Sequence, residues 1–133
     1  MISRRFILLA PTVLLVGASS SVMAASVVNP IKAFDLDADG TLDLNEVKKA
    51  AAELFKRLDP DHDGTLDKRE LAGRLTAREL AAADPDHDGT LSLDEYLAIV
   101  EKRFNAANRD NDGTLDAKEL RAPAGRALLR LLR

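Results

Sequence analysis

Four twelve-residue segments place oxygen-bearing side chains on the same spacing: DLDADGTLDLNE from Asp35, DPDHDGTLDKRE from Asp59, DPDHDGTLSLDE from Asp84 and NRDNDGTLDAKE from Asn108. They align without gaps. Positions 1, 3 and 5 are Asp35, Asp37 and Asp39, then Asp59, Asp61 and Asp63, then Asp84, Asp86 and Asp88, then Asn108, Asp110 and Asp112. Position 6 is Gly throughout, position 7 is Thr41, Thr65, Thr90 and Thr114, and position 8 is always Leu. Position 9 is Asp43, Asp67, Ser92 and Asp116; position 12 is Glu46, Glu70, Glu95 and Glu119. Of 22 acidic residues, 19 lie in these segments, and only Glu53, Glu79 and Glu101 lie outside. A solvated acidic face would scatter its acids among Lys and Arg, so this concentration points to cation binding.

The pattern is that of the EF-hand metal loop. Alternate carboxylates at 1, 3 and 5 converge as hard oxygen donors. Position 7 offers its backbone carbonyl, and the position-12 Glu closes the shell with two oxygens. Gly at position 6 permits the sharp turn. The position-8 leucines, Leu42, Leu66, Leu91 and Leu115, are placed to pack beneath the sites and pair one loop with another. Two unit charges about 4.5 Å apart repel by roughly 3–4 kcal/mol at an effective dielectric near 20, so the empty loops repel themselves. Loops 1 and 2 carry carboxylates at 1, 3, 5, 9 and 12. Loop 3 has Ser92 at position 9, and Asp94 at position 11 lies outside the usual shell. Loop 4 opens with the uncharged Asn108. Ranked by charge, loops 1 and 2 come first, loop 3 next and loop 4 last.

The elements that must hold these loops are short. First positions fall at 35, 59, 84 and 108, so successive loops are separated only by 47–58, 71–83 and 96–107. Twelve residues make one helix of about 18 Å, so the helix leaving one loop must enter the next. Val47, Ala50, Ala51, Leu54, Phe55 and Leu58 repeat at helical spacing, as do Tyr96, Ile99, Val100, Phe104 and Ala107. Between loops 2 and 3 the pattern weakens at Gly73, and Thr76-Ala77-Arg78-Glu79 reads as a capping box opening a new helix. A bend there brings loops 2 and 3 together at one end and loops 1 and 4 at the other. The expected fold is all-α: a helical bundle with four EF-hand loops, adjacent loops sharing a single connecting helix. After Ala122-Pro123 a last helix is expected over 124–132. Its Leu128, Leu129 and Leu132 would close the core, with Arg126, Arg130 and Arg133 outward.

Composition narrows the function. The 133 residues contain no Cys, which excludes disulfides, thiolate zinc sites and a cysteine nucleophile. A net charge of −3 argues against nucleic-acid binding. His62 and His87 occupy position 4, which points out of the loop, and no catalytic constellation surrounds them. The chain is therefore read as a binding protein, not an enzyme, and as a monomer. At the N-terminus, Arg4 and Arg5 precede an apolar run from Phe6 to Gly17 and a small-residue stretch ending Met23-Ala24-Ala25. This is the layout of a secretory signal. Its dozen apolar residues are too few to span a bilayer. Residues 1–24 are read as the removed signal and 25–133 as one metal-binding domain, exported to the periplasm and without membrane attachment. Loss of Arg4 and Arg5 with the signal moves the net charge from −3 to −5.

Taken whole, the chain resembles the lanmodulins, exported lanthanide-binding EF-hand proteins of methylotrophic bacteria. The resemblance rests on the signal segment, the four loops with gaps of single-helix length, Asn opening the fourth loop and the Ala-Pro-Ala-Gly tail. That family carries Pro at loop position 2; Pro60 and Pro85 match, whereas Leu36 and Arg109 depart, as does Ser92 at position 9. The resemblance implies selectivity for lanthanide(III) ions over calcium, with three tight sites and a weaker fourth at loop 4. The alternative is an exported calcium-binding buffer or sensor. Any protein partner is unidentified by sequence.

Overall fold

The computed structural model describes residues 29–133; the expected signal, residues 1–24, lies outside them. Six helices alternate with four two-residue strands. Helix α1 (Pro30–Phe34) enters loop 1, strand β1 (Leu42–Asp43) lies within it, and α2 (Leu44–Leu58) leaves it. Strand β2 (Thr65–Leu66) belongs to loop 2, α3 (Ala77–Ala83) enters loop 3, β3 (Leu91–Ser92) lies in that loop, and α4 (Leu93–Ala107) leaves it. Strand β4 (Thr114–Leu115) belongs to loop 4, followed by α5 (Ala117–Arg121) and α6 (Pro123–Leu129).

Helices α2 and α4 are the two shared struts. The C-cap of α2 is Asp59, the first residue of loop 2, and the C-cap of α4 is Asn108, the first of loop 4. Each has 15 residues, about 22 Å at 1.5 Å per residue, so each holds its two loops at opposite ends. The strands complete the arrangement. β1 pairs antiparallel with β4 and β2 with β3, with Leu42 opposite Leu115 and Leu66 opposite Leu91. Loops 2 and 3 therefore share one end and loops 1 and 4 the other, as the spacing predicts. The four leucines are fully buried, so each pair joins two metal loops through backbone bonds above and apolar packing below.

Loops 2 and 3 are not joined by one unbroken helix, and the break falls where the weakened pattern at Gly73 and the capping box at Thr76 place it. Residues 68–75 form successive turns, with Gly73 at φ +77°, a left-handed value that interrupts a right-handed helix. The capping box then starts α3: Thr76 accepts from the Glu79 amide, and the Glu79 side chain accepts from the Thr76 amide. The reversal that brings loops 2 and 3 together is thus encoded at Gly73 and Thr76.

The core lies between the struts. From α2 it takes Val47, Ala51, Leu54 and Phe55, and from α4 Tyr96, Val100, Phe104 and Ala107. Phe55 meets Tyr96 edge to face, with centroids 5.7 Å apart, an arrangement the ring quadrupoles favour. The tail seals the open side. Helix α6 ends at Leu129, short of the expected end at Leu132. A final turn carries Leu131 and Leu132, which are buried together with Leu128 and Leu129. Three polar ties fix it: the Tyr96 hydroxyl donates to the Leu131 carbonyl at 2.7 Å, Arg103, itself paired with Glu79 at 2.9 Å, donates to the Ala127 carbonyl at 2.7 Å, and Arg74 donates to the Arg133 carbonyl at 3.3 Å. Burial pushes the Tyr96 pKa up to about 12, so its phenol remains a donor. Among the described residues no helix is long and apolar enough to cross a membrane.

Candidate metal centres

Each loop is built by its own backbone. The residue at position 4 (Ala38, His62, His87, Asn111) has φ between +55° and +61°, and the position-6 glycine between +81° and +87°. Two left-handed residues so close together curl the chain, and amides turn inward onto the carboxylates. In loops 1, 2 and 3 the Gly amide donates to Oδ2 of the position-1 Asp at 2.8–3.0 Å. The position-3 Asp accepts from the position-5 amide in all four loops. The position-5 Asp accepts from both the amide and the hydroxyl of the position-7 Thr. Position-4 side chains are exposed, which puts His62 and His87 on the outside of the loops as expected.

The carboxylates converge in three loops. Oxygens of Asp35, Asp37 and Asp39, of Asp59, Asp61 and Glu70, and of Asp84, Asp86 and Glu95 each lie within 4.8 Å of one another. Loop 4, whose first residue is the neutral Asn108, is not among these groups. The crowding shows in the acidities. The Asp84 carboxyl is held below the ordinary range first by its hydrogen bond with Asp86, and Asp86 is raised above it by the same bond. Asp61 is raised likewise, by its bond to Asp59. In these pairs the two carboxylates crowd one another, and a cation between them would relieve the repulsion.

Buried, unanswered oxygens supply a separate sign. Oδ1 of Asp35 and Oδ1 of Asn108, the position-1 atoms of the paired loops 1 and 4, are buried without a hydrogen-bond partner. Such an atom costs stability unless something fills its lone pairs. A hard cation fits this donor set of carboxylate, amide and carbonyl oxygens.

Position 9 has a role beyond the one expected from loop chemistry. Asp43, Ser92 and Asp116 are N-caps of α2, α4 and α5; each accepts from the amide of its position-12 Glu, whose side chain accepts from the position-9 amide in return. Asp67 and Glu70 exchange the same bonds in loop 2, where no helix follows. Position 9 joins none of the three carboxylate groups. The signal is present in the sequence: position 9 and position 12 stand in the Ser/Thr/Asp-x-x-Glu spacing of a capping box. Position 7 contributes hydroxyl and amide donors to position 5.

Two segments, residues 31–50 and 51–75, match the family model for the EF hand. A search of the curated proteins finds no match. The matched segments contain loops 1 and 2, and together with the acidic groups they support metal binding of the EF-hand type.

Proposed function

We propose that the protein is a periplasmic, high-affinity lanthanide(III)-binding protein that selects trivalent lanthanides over calcium and folds as it binds them. Its work is to sequester, carry or sense the metal rather than to catalyse a reaction. The observation that carries this reading is the convergence of three acidic side chains within 4.8 Å in each of loops 1, 2 and 3, among 19 loop acids in all. Five carboxylates in loop 1 or 2 leave a formal −3 around a divalent ion and −2 around a trivalent one. Lanthanide and calcium ions are alike in size and in preference for oxygen, so the extra charge favours the trivalent ion.

Three tight sites at loops 1–3 and a weaker one at loop 4 follow from the donor sets. Asp35, Asp37, Asp39, Asp43 and Glu46 serve loop 1, and Asp59, Asp61, Asp63, Asp67 and Glu70 serve loop 2. Asp84, Asp86, Asp88, Ser92 and Glu95 serve loop 3, and Asn108, Asp110, Asp112, Asp116 and Glu119 serve loop 4. The carbonyls of Thr41, Thr65, Thr90 and Thr114 complete the shells.

The second reading, an exported calcium buffer or sensor, draws on the EF-hand match at residues 31–75. Lanthanum(III) titrated in a large excess of calcium, followed by circular dichroism, separates them. A helical gain complete at low lanthanum(III), despite the calcium, is expected. Equal responses to the two ions at equal concentration would refute lanthanide selection and leave the calcium reading.

A further inference from the structure

The four position-12 glutamates fall into two classes, and the residue at position 2 divides them. In loop 1 the Leu36 amide donates to Glu46 Oε1 at 2.6 Å; in loop 4 the Arg109 amide donates to Glu119 Oε1 at 3.0 Å. The other oxygen of each, Oε2, accepts from the position-9 amide of its capping box. Both oxygens are thus held by backbone, and both residues are buried, at 7% and 9% exposure. In loops 2 and 3 position 2 is Pro60 or Pro85, which has no amide hydrogen. Glu70 and Glu95 keep only the capping-box bond through Oε2. These two glutamates, and neither of the others, lie in a carboxylate group with the Asp residues of positions 1 and 3.

From this division we infer that position 2 sets the strength of each metal loop by supplying or withholding an amide that competes for the closing glutamate. The inference deepens the proposed function and rests on it. A proline leaves Oε1 of the position-12 Glu to the cation. In loops 1 and 4 the position-2 residue engages that oxygen with an N–H, which draws off charge and ties the carboxylate to the backbone. The order of sites then differs from the order by charge. Loop 3, with four carboxylates at ligand positions, outranks loop 1 with five, because Pro85 stands where loop 1 has Leu36. Loop 4 is last on both counts, although the buried, unpartnered Oδ1 of Asn108 keeps it a site.

The residue before position 2 in loop 1 suits a proline. A residue before proline must be extended. Asp35 already is, at φ −70° and ψ 103°, whereas Asp59 and Asp84, which precede the natural prolines, lie at φ −105°, ψ 76° and φ −109°, ψ 82°.

The test uses the ¹⁵N-labelled chain titrated with lanthanum(III), then with calcium. The amides of Gly40, Gly64, Gly89 and Gly113 serve as one reporter per loop, since those of the first three donate directly to position-1 carboxylates. Expected is filling of loops 2 and 3 before loop 1. Leu36→Pro should tighten loop 1 about tenfold, and Pro60→Ala should weaken loop 2 by a similar factor. Proline also stiffens the chain, which alone accounts for about two- to fivefold. A second variant removes that ambiguity: Leu36 replaced by its α-hydroxy analogue loses the amide hydrogen without gaining a ring. Tightening of loop 1 in this ester variant, with a shift of the Glu46 carboxylate stretch in isotope-edited infrared spectra, supports the competition. An unchanged ester variant, or loop 1 filling before loop 3, overturns it while leaving metal binding intact. Glycine amides that respond to neither ion would overturn the proposed function and this inference with it.

Discussion

Gly125 stands where helix α6 crosses the end of α5, and adding one methyl group there tests how tightly the tail is seated. A Cβ on Gly125 would collide with the Glu119 carbonyl oxygen and lie 2.5 Å from Leu120 Cα and 2.8 Å from Leu120 C. Carbon atoms normally rest about 3.5–4.0 Å apart, and all three neighbours are backbone, which no rotamer change can move aside. Helix α6 would have to retreat by about 1 Å. A gap of that size forfeits roughly a quarter to a half of the dispersion energy of the contacts it opens, here those of Leu128 and Leu129. Overpacking of this kind costs about 1–3 kcal/mol, more where backbone must shift. Helix propensity acts the other way, favouring Ala over Gly by at most about 1 kcal/mol. We expect Gly125→Ala to destabilise the protein by about 2 kcal/mol, close to a thirtyfold change in the folding equilibrium. Urea unfolding followed by circular dichroism, with lanthanum(III) at saturation so that every variant starts folded, measures it. Because the collision falls on Glu119, the loop-4 site should weaken as well. Ala124→Gly, one residue away, should cost no more than about 1 kcal/mol. A Gly125→Ala protein as stable as the parent, or more so, would show that propensity wins and that the close crossing is not a constraint.

Three further outcomes are expected. Tyr96→Phe strands the Leu131 carbonyl that the phenol now satisfies and should cost about 1–3 kcal/mol, read as a lower urea midpoint with unchanged slope. Glu79, whose pKa is held below the ordinary range first by the Thr76 amide and further by Arg103, stabilises the fold in its ionised form. That contribution is fully present above about pH 4.3 and is lost as pH falls through the lowered value. Glu79→Gln should therefore flatten this part of the stability–pH curve, and a difference between parent and variant that grows on acidification would contradict the assignment. Glu70→Ala should remove one tight equivalent of lanthanum(III) in a calorimetric titration, whereas Glu119→Ala should change little at low metal; equal losses would refute the ranking of loop 4 below loop 2.

Much of the architecture is legible in the sequence because it is written in local spacing. The stretch between Glu46 and Asp59 leaves room for one helix only. The register of the pairs follows from a Leu at position 8 of every loop, and the Thr76–Glu79 box marks the reversal. What escapes the sequence is set by neighbours in space. The bond from the Leu36 amide to Glu46 joins the two ends of the loop and depends on how far the chain between them curls. The contact at Gly125 depends on the angle at which α6 folds back after Pro123. The final turn at Leu131 and Leu132 departs from helix because the core beside Tyr96 accepts those leucines there. The capping role of the position-9 residues, by contrast, is visible in their spacing to position 12.

The pairing of loops also orders events in time. Leu66 finds Leu91 across a short stretch of chain, whereas Leu42 must find Leu115 across nearly the whole domain. With a separation roughly three times as great, closing the longer loop costs about 1 kcal/mol more in chain entropy, since the cost grows as three-halves RT times the logarithm of length. The hairpin of loops 2 and 3 is therefore the natural nucleus, and the strand pair of loops 1 and 4 the last clasp. A chain emerging N-terminus first presents loop 1 early, but its partner arrives only with the segment from Asn108 onward. Until then loop 1 waits unpaired, and the molecule cannot close at that end before loop 4 has emerged.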